Sequence, residues 1–259
     1  MTFYCSSNGN INDTAPGNNK LCLFILLSCF SFSCYAVQLN VVTEQRIPLN
    51  YMNEHGEVVG DATKIVREIL AHAGIAYSIQ VYPWARAYNK AKTEPNTLIY
   101  SLRRTNKRED MFHWICPLIQ SEKEYIYRLS TRHDINFSVM EAAKTYSLGV
   151  VRNDFTHETL RVRGFEDNKH LDINNDGFAN LKKLIKGRVD LIVQSDRAIE
   201  RSLKKLNLPL STVTAIIPFE LEQPTCIGLN IQTADKIVNQ LRQSHKIILK
   251  RQGLQATDK

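Results

Sequence analysis

The chain contains no G-x-S-x-G and no G-x-x-x-x-G-K. The first absence removes the sharp turn that exposes a hydrolase serine. The second removes the glycine loop that cradles nucleotide phosphates. Its seven histidines are scattered, with no pair at the H-x-x-x-H spacing of a helical metal site. No zinc-finger, RNP-type or basic-helix pattern accompanies the net charge of +7, so no nucleic-acid partner is expected. No low-complexity tract and no fixed-period repeat is visible. Cysteine is scarce where it matters: of six, only Cys116 and Cys226 lie beyond residue 36. Both sit in apolar strand-like text, "FHWICPLI" and "PTCIGLN", which favours two buried free thiols over a disulfide. No catalytic constellation and no cofactor motif stands out.

What remains is an ordinary globular composition, 43% hydrophobic and 23% charged over 259 residues. That suffices for one large domain or two lobes. The one long apolar run, "LCLFILLSCFSFSCYA" (21–36), follows Lys20 and ends in small residues at −3 and −1. It reads as a secretory signal peptide cut after Ala36 and places the mature chain in the periplasm. Its sixteen residues are short of the ~20 needed to span a bilayer. A lipoprotein cut at Cys29 or Cys34 is a weaker alternative.

The mature chain alternates strand and helix text. "VQLNVVTE" is a strand. "DATKIVREILAHAG" is a helix with Ile65, Val66, Ile69, Leu70 and Ala73 on one face. "IAYSIQVY" is a strand, "PWARAYNKAKTE" a helix and "NTLIYSL" a strand. This β-α-β-α-β order implies parallel pairing through crossover helices. The pattern restarts with "TYSLGVVRN" and runs through "RVDLIVQS". "EKEYIYRLS" (122–130) and "AIIPFELEQPTCIGLN" (215–230) connect the blocks, and an amphipathic helix, "ADKIVNQLRQSHKIILKRQG", closes the chain. The expected fold is α/β with two lobes, each a mixed sheet flanked by helices. Residues 37–131 and 218–259 form the first lobe and 132–217 the second. Clefts at the carboxyl ends of such strands bind ligands.

Two local motifs bear on chemistry. "DINNDGFANLKK" (172–183) imitates a calcium loop, but its twelfth position is Lys183 rather than a glutamate, so Asp176 is expected to cap a helix instead. "SLRRTNKRE" (101–109) follows a strand, with Thr105 placed to cap a helix at "NKRED". An arginine fork beside free backbone N–H groups makes an anion site, and Arg108 is the candidate fork.

In order and spacing, "VVTEQRIPLNY", "GEVVGD", "VYPWARAY", "SLRRTNKRE" with "FHWICP", "SLGVVRND" and "GRVDLIVQSD" resemble the bacterial extracytoplasmic solute-binding proteins of family 3, the receptors of polar amino-acid importers. The resemblance covers about residues 37–255. It implies the type II periplasmic-binding-protein-like fold with two hinge crossovers. The implied protein is a monomeric receptor, not an enzyme, that gives a small carboxylate-bearing, amino-acid-like solute to the membrane permease of an ABC importer. Arg108 then holds the ligand's carboxylate, Ser101 and Arg103 line the same wall, and Trp84 stacks on the ligand. Glu44 and Arg46 face the cleft, and Asp154 with Ser195 or Asp196 holds the amino group. This chain departs from the family pattern at Arg46, Arg103 and Asn153. Three arginines near one cleft lead to the expectation of an acidic solute. A receptor for a signalling partner, or an enzyme with Glu44 or Asp154 as general base, are the alternatives.

Overall fold

A computed structural model describes residues 38–120, 122–219 and 224–251. The expected signal peptide and its four cysteines lie outside the described residues.

Two five-stranded sheets carry the fold. In chain order, β1 (Leu39–Thr43) leads through the small hairpin β2 (Tyr51–Met52) and β3 (Val58–Val59) to α1 (Asp61–Ala73). Then come β4 (Tyr77–Val81), α2 (Trp84–Thr93), β5 (Thr97–Arg103) and β6 (Phe112–Ile119). The second block has β7 (Glu124–Leu129), β8 (Leu148–Val151), α3 (Phe155–Val162), β9 (Leu171–Asn174) and α4 (Gly177–Ile185). It continues with β10 (Leu191–Ser195), α5 (Asp196–Lys205) and β11 (Val213–Phe219); β12 (Thr225–Asn230) and α6 (Asp235–Arg251) complete the described chain. The first sheet runs β4-β1-β5-β12-β6 and the second β11-β7-β10-β8-β9. As the β-α-β-α-β text requires, β1 pairs in parallel with both β4 and β5.

The strand β7 corrects the expected lobe boundary. It pairs antiparallel with β10 and β11 in the second sheet, so residues 124–129 leave the first lobe to which a boundary at 131 assigned them. The connecting stretch over 215–230 carries parts of two strands, β11 in one sheet and β12 in the other. Continuous β-rich text does not show where a chain changes sheets.

Helix periodicity fares better. Ile65, Val66, Ile69 and Leu70 of α1 are buried against β1, β5 and α6, and Gly74 ends the helix in the left-handed conformation that glycine adopts without strain. The opposite face of the sheet packs Trp84, Ala87 and Ala91 of α2 on Val42, Ile99 and Leu102. Asp176 caps α4, accepting from the Ala179 N–H at 2.7 Å. Lys183 pairs with Asp172 at 2.6 Å, so the first and twelfth positions of the calcium-like loop neutralise one another. Phe178 of α4 reaches the cavity between the sheets, with Lys182 and Lys205 over its ring.

The thiols also differ from expectation. Cys116 and Cys226 form a disulfide across β6 and β12, 110 residues apart in sequence. These strands are neighbours, and an irregularity in their register between Thr225 and Ile227 brings the two side chains together. Apolar surroundings argue for burial, and burial does not oppose pairing.

Candidate functional site

A cleft lies between the sheets at the ends of β1, β5, β8 and β10. Its walls include Glu44, Arg46, Trp84, Ser101, Arg103 and Arg108 from the first lobe. The second lobe adds Glu124, Asp154, Phe155, Phe178, Val193 and Gln194. Seven of the nine residues expected at the site are therefore brought to one cavity. Ser195 and Asp196 are not.

The end of β1 is fixed first. Asn50, fully buried, donates to the Glu44 carbonyl at 2.8 Å and accepts from the Ser101 hydroxyl at 2.6 Å. Ser101 has φ 60 and occupies an irregularity where β5 pairs with β12. An extra residue of this kind bends a strand locally. The Ser101 hydroxyl is spent on Asn50, so its role is to tie β5 to the turn after β1. Asn50 has no motif of its own.

Each arginine that the first lobe brings to the cavity meets a carboxylate of the second. Arg103 donates to Glu124 Oε1 at 2.8 Å and lies over the Phe155 ring at 4.9 Å. Arg46 reaches the same oxygen at 3.1 Å. Arg108 is fully buried and donates to Glu158 Oε2 at 2.7 Å, to the Asn153 carbonyl at 3.2 Å and to the Arg103 carbonyl at 3.3 Å. Its guanidinium lies over the rings of Trp84 and Tyr88, at 5.6 and 5.0 Å. Lys107 holds the other Glu158 oxygen at 3.0 Å. The three arginines behind the expectation of an acidic solute thus all face protein carboxylates. Thr105 precedes a 3-10 turn (Asn106–Met111) rather than an α-helix. Its hydroxyl makes no cap and is buried without a partner.

Two carboxylates are left over. Glu44 is 7% exposed, and among the described residues its side chain has no hydrogen bond or ion pair. Burial lifts its carboxyl above the usual range, against the pull of Arg46 and, more weakly, Arg108 and Arg103. Asp154 follows Asn153, whose φ of 58 turns the chain out of β8. One Asp154 oxygen caps α3 by accepting from the His157 N–H at 2.7 Å. Burial raises its pKa to about 7, with Glu44 and Glu124 adding to the rise. A carboxylate so placed gains most from a positive ligand group.

Trp84 donates through its indole N–H to the Asn153 carbonyl at 2.7 Å, a contact between lobes, while its ring lines the cavity. Ser195 caps α5 and donates to Glu122 at 2.6 Å; it lines a smaller neighbouring pocket with Arg46, Gln120 and Glu122. Asp196 accepts from the Tyr127 hydroxyl, outside the cavity. Sequence reasoning missed Asn50, Glu124 and Glu158. The arginines that need partners were visible, but which acids of the other lobe reach them depends on how the sheets face.

No family profile matches the chain, and no curated protein matches it. Solved structures do. A histidine kinase sensor domain described as similar to periplasmic binding proteins superposes with a TM-score of 0.72 at 16% identity, over 83% of this chain and 91% of that one. An ancestral arginine-binding protein bound to arginine gives 0.72 at 15% identity, over 83% and 93%. The arginine-, lysine-, histidine-binding protein ArtJ from Geobacillus stearothermophilus gives 0.68 at 14% identity, over 84% and 91%. The chain has the two-lobe fold of periplasmic binding proteins.

Proposed function

We propose that the protein is an extracytoplasmic receptor that closes two lobes around a small polar, amino-acid-like solute and presents it to the permease of an ABC importer. One observation carries the reading: a polar cavity whose charged walls come from both lobes, at the ends of β1, β5, β8 and β10. A solute that touches both walls stabilises the closed arrangement over the open one, which is the work such a receptor performs. The solved structures of the same fold support it, being largely amino-acid-binding proteins. Glu44, Arg46, Trp84, Arg103 and Asp154 are the proposed contacts. Arg108 can take a ligand carboxylate only by giving up Glu158. The reading is of binding rather than catalysis, because solved structures of the same fold include arginine-binding proteins and the substrate-binding protein of an amino acid ABC transporter.

Mass spectrometry of small molecules released from gently purified protein tests the reading, followed by calorimetry on stripped, refolded protein. A released solute that rebinds with a stoichiometry near one is expected. A folded, stripped protein that gives no heat with amino acids, amines or organic acids sinks it. The likeness to a histidine kinase sensor domain favours one second reading, a receptor for a signalling partner. Copurification with a sensor rather than a permease separates the two.

A further inference from the structure

The residue that the resemblance assigns to a ligand carboxylate already holds one. Glu158 Oε2 lies 2.7 Å from the Arg108 guanidinium, and Lys107 holds the second oxygen at 3.0 Å. The Asn153 and Arg103 carbonyls take further donors of Arg108, and its Nε is buried without a partner. The guanidinium, closed in by the Trp84 and Tyr88 rings, has little capacity left for a second carboxylate. Arg46 and Arg103 converge on one oxygen of Glu124. On the opposite account stand Glu44, more than nine-tenths buried with an unpartnered carboxylate on the first-lobe wall, and Asp154 on the second-lobe wall of the same cavity. A charged group brought in to complete this site has to be positive, and the site's carboxylate position is filled by the chain itself.

We infer that Glu158 is a specificity-determining residue. It takes on Arg108 the place of a ligand carboxylate, so the cavity selects a small organic cation without one, its ammonium or guanidinium group seated at Glu44 and Asp154. The inference rests on the receptor reading and narrows its solute from amino acids to amines. An α-carboxylate entering the closed cavity would either stay desolvated near Glu44 and Asp154 or have to expel Glu158 from a buried guanidinium, and both are costly. An amine of the same length meets neither obstacle.

The test pairs each amine with its carboxylated counterpart: agmatine with arginine, cadaverine with lysine and putrescine with ornithine. Glutamate and succinate serve as anions. Calorimetry uses the full mature chain. In the wild-type protein at least one amine should bind ten-fold or more tightly than its counterpart, with no heat from glutamate or succinate. In Glu158→Gln, which frees Arg108, the ratio should fall at least ten-fold toward the amino acid. Tighter binding of the amino acids by the wild type overturns the inference and leaves the receptor reading standing, as does binding of either anion. A wild-type preference for amines that Glu158→Gln leaves unchanged removes Glu158 from the account. Failure of all three amines to bind overturns the inference as well. The receptor reading then stands or falls on the released solute. The first comparison needs no variant, so a Glu158→Gln protein that does not fold leaves the main outcome measurable.

Discussion

Asp154 shows at the residue scale how function and stability pull apart. Its carboxyl sits at about 7 in the folded protein, mainly through burial, against an ordinary value of 3.8. Between about pH 4 and pH 7 the folded chain therefore keeps a proton that the unfolded chain releases. Stability from this group falls as pH rises through that window and is level above it. Asp154→Asn keeps a side chain that caps α3 and removes the charge. Its melting temperature should exceed that of the wild type at pH 8 and approach it at pH 4, in scanning calorimetry at both values. For a cationic solute the sign is opposite: wild-type affinity should increase as pH rises through 7, because Asp154 must be ionised to attract it. Glu44 and Glu124 face the same cavity and Arg46 opposes them, so the rise is broad rather than a single step. A wild-type affinity that is flat from pH 5 to pH 8 contradicts this role for Asp154.

The neighbours Lys107 and Arg108 make a contrast of the same kind. Both touch Glu158, but the Lys107 side chain is 70% exposed and that of Arg108 is 1% exposed. Lys107→Ala should cost less than about 1 kcal/mol in urea unfolding. Arg108→Ala strips Glu158 of its buried partner and empties the space against Trp84 and Tyr88, and should cost about 3 kcal/mol or more. Equal small losses would show that the buried pair contributes little to the fold.

Among elements, the first sheet depends on β12, which arrives from the far end of the chain to lie between β5 and β6. The disulfide ties β12 to β6 and closes a long loop that contains the whole second lobe. Loop closure of that kind restricts the unfolded chain. Replacing both cysteines by serine should lower stability by about 2–4 kcal/mol, seen as a fall of roughly 5–15 °C in melting temperature. Solute affinity should stay within about two-fold, since neither cysteine lines the cavity. Much of this architecture could be read from periodicity. β-rich apolar text marked β1 and β5, the i, i+3, i+4 stripe marked α1, and Asp176 marked a helix start. The assignment of β7 to the second sheet and the pairing of Cys116 with Cys226 could not. Both depend on register between strands distant in sequence, to which local text is blind. The same limit hid Glu124 and Glu158 while leaving Arg46, Arg103 and Arg108 in view.

For the whole molecule, the lobes are joined by direct contacts between their own groups. Arg103 and Arg46 reach Glu124, Arg108 and Lys107 reach Glu158, Trp84 reaches the Asn153 carbonyl, and Arg197 reaches Asp61 at 2.7 Å. Most are ionic and several are partly exposed, so salt and charge substitution should weaken them more than the apolar packing inside each lobe. Observed affinity is the intrinsic affinity of the closed form scaled by how much of the protein is already closed. Glu158→Gln therefore acts twice: it frees Arg108 for a carboxylate, and it removes a tie that favours closure without solute. Small-angle scattering can see the second effect alone. The radius of gyration of the solute-free variant should exceed that of the wild type, and saturating solute should return it to the wild-type value. Raising the salt concentration should open the solute-free wild type in the same direction and affect the variant less, because one of its ionic ties is already gone. A solute-free wild type as extended as the variant, at low salt, would mean that these pairs form only when the solute has brought the lobes together.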